Sequence, residues 1–126
     1  MESSKKFFDL FVWKKAHGFV LCVYKSSQDF PDFERFGLRS QFTRAAVSVA
    51  ANIAEGYKKL SKTDKLRFFN ISQGSLEECK YYILLSRDLG YISEEDYSEQ
   101  CSLAKETSKL LLLYIQGIQS NNYQEA

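Results

Sequence analysis

Thirteen residues near the middle of the chain, Arg44 to Gly56 (RAAVSVAANIAEG), restrict its fold more than any other stretch. At about 100° per residue, Leu38, Phe42, Ala45, Val49 and Ile53 share one apolar arc, and Arg44, Ser48, Asn52 and Glu55 form a polar stripe beside it. One helix therefore presents two organised faces. The alanines at 45, 46, 50, 51 and 54 preserve helix propensity while removing bulk, so a neighbouring backbone can approach closely. Eighteen residues past Gly56, the run Gly74-Ser75-Leu76-Glu77-Glu78 repeats the idea. A glycine inside a helix costs roughly 1 kcal/mol against alanine, so a close neighbour is expected there to offset it. These features describe packing and no reaction.

Around this helix, three more are legible. The first spans about 9–28, with Val12, Trp13, Ala16, Phe19, Val20, Val23 and Tyr24 filling one arc, and Asp29-Phe30-Pro31-Asp32 breaks it. The second spans about 33–57. Ser61 with Asp64, and Ser93 with Asp96, have the spacing of helix N-caps, opening helices over about 61–89 and 93–117. Gly90 is the expected stop of the third, and Glu94 and Glu95 favour the positive end of the fourth. The tail from Gln119 to Ala126 reads as polar and frayed. Short connections between long helices force antiparallel neighbours, so the expected fold is all-α: a single up-down-up-down four-helix bundle over residues 1–126.

Composition narrows the setting. At 126 residues and 44% hydrophobic content the chain fits one globular domain, and a single proline argues against a loop-rich β architecture. Cys22, Cys79 and Cys101 are odd in number and sit among apolar helical neighbours, which favours reduced thiols in the cytoplasm. Asp9 interrupts the apolar run after Lys5 and Lys6 before a signal-peptide core develops, and no run approaches the ~18 apolar residues of a membrane span.

A resemblance rests on residues spread along most of the chain. Phe8-Asp9-Leu10, Trp13-Lys14, Ala16-His17, Tyr24-Lys25, Phe30-Pro31, Glu34-Arg35, Gly37-Leu38, Gln41, the Ala45 to Gly56 run, Gly74-Ser75-Leu76-x-Glu78 and Leu89-Gly90-Tyr91-Ile92 follow a consistent order over roughly 7–115. Together they resemble the bacterial four-helix-bundle family named for proteins encoded in intervening sequences of 23S ribosomal RNA genes. The pattern is also similar to the accessory variability proteins of diversity-generating retroelements. The resemblance implies a homopentameric ring, and for the retroelement relatives binding of nucleic acid and of a reverse transcriptase. Gln73 stands where the family often has a basic residue, which weakens a phosphate-binding role for that face.

Apolar excess independently points to self-association. Leu110 to Ile115 are six apolar residues in succession and so cover every direction around a helix axis, while Phe11, Leu21 and Cys22 lie outside the first helix's main arc. A cyclic homo-oligomer would cover the surplus; the pentamer rests on the resemblance alone. Charge is segregated along the bundle. Lys5, Lys6, Lys14, Lys15, Lys58, Lys59, Lys62, Lys65 and Arg67 oppose Glu2, Asp9, Glu55, Asp64 and Glu125 at one pole, a net of +4. At the other, Lys25, Arg35, Arg39 and Arg87 oppose Asp29, Asp32, Glu34, Asp88, Glu94, Glu95, Asp96 and Glu99, a net of −4. Cyclic symmetry would place every basic pole on one face, and the five cations from Lys58 to Arg67 flank a helix N-terminus suited to phosphate.

The expected function is a non-enzymatic adaptor binding structured RNA or DNA, with Lys58, Lys59, Lys62, Lys65 and Arg67 on phosphate and Lys14 and Lys15 flanking. The alternative is a protein-binding scaffold without nucleic-acid affinity. With His17 as the only histidine, the chain lacks the two Glu-x-x-His helices of a di-iron bundle, and it carries no phosphate loop or nucleophile elbow. No metal or cofactor is expected. Arg44, Asn52, Glu55, Ser75 and Glu78 are expected to form a structural hydrogen-bond network between two small-residue surfaces rather than an acid–base site.

Overall fold

The computed structural model describes residues 6–120. Four helices carry the chain, α1 (Phe11–Ser27), α2 (Leu38–Lys58), α3 (Lys62–Asp88) and α4 (Glu94–Ser120), with 3₁₀ turns at Phe7–Asp9 and Asp32–Glu34 and no strand among the described residues. The fold is an all-α four-helix bundle. Residues 121–126, with most of the tail read as frayed, lie outside the described residues, as do Glu2, Lys5 and Glu125 of the charge count.

Local chemistry sets the helix ends. Ser61 Oγ accepts the Asp64 N–H at 3.1 Å and Ser93 Oγ accepts the Asp96 N–H at 3.0 Å, so both serines cap as their spacing implies. Gly90 stops α3 at φ +77°, with its own N–H on Arg87 O and the Tyr91 N–H on Ser86 O, both at 2.9 Å, the paired bonds of a Schellman end. Two boundaries differ from the sequence expectation. α2 begins at Leu38 and not near Phe33, because Asp32–Glu34 winds as a 3₁₀ turn and Gly37 leaves helical geometry. The Glu34 carboxylate then folds over Gly37, 2.8 Å from where a Cβ would sit, and accepts the Leu38 N–H at 2.9 Å. A side chain four residues upstream does the capping, which no cap spacing signals. α4 runs through Gly117 to Ser120, where Ile118 packs against the core and Lys62 Nζ reaches Gln119 O at 3.2 Å.

The helices pack as a square: α1 touches α2 and α4, α3 touches α2 and α4, and the diagonals stay apart. Lys65 with Tyr57, Lys62 with Gln119 and Gln100 with Ser26 each join the start of one helix to the end of its neighbour, so adjacent helices run antiparallel. Phe19, Phe42, Phe69, Ile53, Leu76, Ile83 and Leu111 fill the centre, each contributing about 1.5–3 kcal/mol by leaving water. Along the α2–α3 seam, Ala45 and Gly56 are buried, and a Cβ on Gly56 would lie 2.6 Å from the Phe69 ring. Small residues therefore do bring these two helices close. Gly74 corrects the second half of that expectation: it is exposed, and a Cβ there would meet nothing within 4 Å. Its close partner in the seam is the next residue, Ser75.

Candidate nucleic-acid interface

The end of α2, the connection through Leu60 and the start of α3 lie at one tip of the bundle, together with the start of α1. Lys58 is exposed there. The Lys59 ammonium sits 4.9 Å over the Phe68 ring and 3.7 Å from Glu55, and the Arg67 guanidinium lies 4.7 Å from the centre of that same ring. Phe68 is only half-buried and holds two cations, while Phe69 is fully buried. Lys62 bonds the end of α4, leaving its remaining donors toward solvent. On α1, Lys14 is exposed, and Lys15 pairs with Glu106 at 3.1 Å while its ammonium lies 5.9 Å from the Phe11 ring.

Lys65 is a correction. It is buried, and its ammonium donates to Tyr57 O at 2.7 Å and to Gly56 O at 3.4 Å. It satisfies the carbonyls at the C-terminal end of α2, where the helix dipole favours a cation, and burial lowers its pKa. Lys65 ties α3 to α2 and leaves the set that faces solvent. Its position four residues after Ser61 places it on the inner side of α3's first turn, a signal hidden by the density of neighbouring lysines.

The polar set between α2 and α3 divides. Ser48 and Ser75 hydroxyls meet at 2.8 Å, and Asn52 Nδ2 donates to Ser48 O at 2.8 Å and Ser48 Oγ at 3.0 Å. Glu78 accepts from Tyr82 OH at 2.9 Å, a hydroxyl that also reaches Gln41 Oε1 at 3.2 Å. Burial, then this bond to Glu78, pushes the Tyr82 pKa up to about 12. Sequence reading missed Ser72, which is fully buried and donates to Val49 O at 2.8 Å. Two expected members stand apart: Glu55 points away to Lys59, and Arg44 is exposed with no ion pair among the described residues. Glu55 lies one turn past Asn52, beyond the stretch of seam where hydroxyls meet. Arg44 and Phe36 instead line, with Gln41, Ser48, Ser75, Glu78 and Tyr82, an open groove of about 510 Å³ along the outer edge of the seam.

His17 is exposed and stacks on Trp13 with centroids 4.8 Å apart. It forms one wall of an apolar groove with Trp13, Val47, Ala50, Ala51 and Ala54. No cluster of metal-ligating side chains occurs among the described residues. The three cysteines are unbridged; burial pushes the Cys79 thiol up to about 12, and burial with Glu99 and Asp96 pushes Cys22 up to about 11, so both stay protonated at neutral pH. No described helix is long and apolar enough to cross a membrane.

Among solved structures, the chain is similar to a protein of unknown function from the S23 ribosomal protein family of Bacteroides thetaiotaomicron. The two share 25% identity and a TM-score of 0.77 over 83% of this chain and 95% of that one. Comparison with curated proteins gave no match. The family model described as 23S rRNA-intervening sequence protein matches residues 8–112, spanning all of α1 to α3 and most of α4, and the chain belongs to that family.

Proposed function

We propose that this chain is a non-enzymatic helical adaptor that assembles as a cyclic homo-oligomer and binds structured RNA or duplex DNA through its basic tip. One observation carries the reading: Lys58, Lys59, Lys62 and Arg67 converge at that tip beside the N-terminus of α3, with Lys59 and Arg67 pre-positioned on the Phe68 ring. Lys14 and the partly neutralised Lys15 flank them. Exposed Leu112, Leu113, Phe11 and Leu21 supply the apolar surface that lateral association would cover. Protomers related by a rotation axis share polarity, so each adds its cations to one face. Binding is then led by phosphate contacts and shape, without base readout. The protein partner that the similarity to the retroelement accessory proteins implies is a reverse transcriptase, and the compartment of this reading is the cytoplasm.

Replacing Lys58, Lys59, Lys62 and Arg67 by glutamine should weaken binding more than about tenfold at ~50 mM salt. It should also flatten the dependence of log affinity on log salt by up to ~0.9 for each lost phosphate contact. A mobility-shift series on structured RNA and duplex DNA reads both, and an unchanged curve rejects the assignment. A protein-binding scaffold is the second reading, favoured by Phe33 and Phe36, which stand exposed at the opposite tip.

A further inference from the structure

The two tips of the bundle carry matched features. At the acidic tip, Phe33 is 78% exposed and Phe36 88% exposed. They do not dangle. Phe30 of the same connection is buried against Tyr91, Pro31 follows it, and the two Glu34 carboxylate oxygens hold the Leu38 N–H and the Tyr91 hydroxyl at 2.9 and 2.8 Å. A pinned loop thus presents two aromatic rings, the residue type that anchors protein interfaces, with little ordering entropy left to lose on contact. This end of the bundle carries eight carboxylates against four cations, and one of those cations, the Arg35 guanidinium, lies 5.5 Å from the centre of the Phe36 ring. Arg87 is already committed to Asp88 at 3.1 Å, and Arg44 shares a groove with Phe36.

The basic tip is the counterpart. Leu60, 86% exposed, projects from the α2–α3 connection between Lys59 and Lys62. An exposed leucine between lysines stands at one tip of the bundle, and two exposed phenylalanines stand in the acid-rich connection at the other. We propose that the acidic tip of one copy docks on the basic tip of a second copy, head to tail, with Leu60 seated against Phe33 and Phe36 and the lysines against the carboxylates. The docking stands on these surfaces alone. Its consequence rests on the reading above: the contact covers the cations assigned to nucleic acid, so the assembly masks its own binding face and nucleic acid competes with the next copy.

Magnitude limits the strength. Four helices, each about 10 Å across, give a tip of roughly 400 Å², or about 800 Å² buried in all, below the ~1,200 Å² where stable interfaces begin. The contact is therefore weak for one protomer, multiplied where several tips meet at once, and steered by charge. Because the repeat is heterologous along the bundle axis, it grows open stacks.

Sedimentation of the full chain should show mass rising with concentration at ~20 mM salt and falling back to a salt-insensitive base unit at ~1 M, where the Debye length is about 3 Å. The F33S/F36S double variant and, separately, L60S should keep the base unit and lose the growth. Mixing the two variants restores one productive junction, so the mixture should reach twice the base mass and stop. Wild-type mass that ignores salt, growth that survives F33S/F36S, or a mixture that stays at base mass overturns the proposal. Nucleic acid added to the low-salt wild type should disperse the stacks, and F33S/F36S should bind it at least as well. Absence of nucleic-acid binding with stacking intact removes only the function proposed above.

Discussion

The two seams on opposite sides of the bundle are built by different means. Between α2 and α3, alanine and glycine let the backbones close in, and the buried or half-buried polar groups meet partners: Ser48 on Ser75, Asn52 on Ser48, Ser72 on a main-chain carbonyl. Between α1 and α4, contact is by longer side chains. Buried Gln100 donates to Ser26 Oγ at 2.6 Å, yet its own side-chain carbonyl has no partner, and Lys15 reaches Glu106 across a partly solvated surface. Close backbones demand that every polar atom be satisfied in a fixed geometry; a looser seam tolerates one that is not. The α2–α3 side is thus the rigid frame that fixes the basic tip, through Gly56, Tyr57 and the buried Lys65.

The largest effect should come from filling the tight seam. Gly56→Ala puts a methyl 2.6 Å from the fully buried Phe69 ring, outweighing the gain in helix propensity and lowering stability by about 1–3 kcal/mol in urea unfolding. The same change at Gly74, where nothing lies within 4 Å, should raise stability by up to about 1 kcal/mol. Equal effects at the two glycines would erase the difference between a seam and an open face. Next, Gln100→Leu removes the unpartnered carbonyl, while Ser26 keeps its bond to Val23 O. Stability should rise by about 1 kcal/mol, and a loss of similar size would show the α1–α4 seam to be as exacting as its counterpart. Smallest, Lys15→Gln breaks only a partly exposed ion pair and should shift stability by less than about 0.5 kcal/mol. A larger drop would make that pair structural and remove Lys15 from the nucleic-acid set.

Periodicity and spacing made the bundle legible. Two apolar arcs, two serine caps and Gly90 in the left-handed region are short-range consequences of sequence, and they place α1 to α4 without reference to any tertiary contact. Helix ends held by distant residues were not legible: Glu34 reaching forward over Gly37, and Lys62 bonding Gln119 across the bundle. Within the candidate site, sequence marked the cations and could not say which way each points.

By itself the sequence determined that this chain is four antiparallel helices with positive charge at one end and negative charge at the other, because helical spacing and connection length are local properties. Only the tertiary structure decided that Lys65 turns inward to α2's carbonyls, that Phe68 turns outward to hold Lys59 and Arg67, and that Glu55 leaves the seam for Lys59. The physical reason is that a side chain's solvation depends on what the facing helix offers. A lysine within reach of a neighbouring helix's free carbonyls can be buried because hydrogen bonds to them offset its desolvation, and the same residue one position along the surface stays in water.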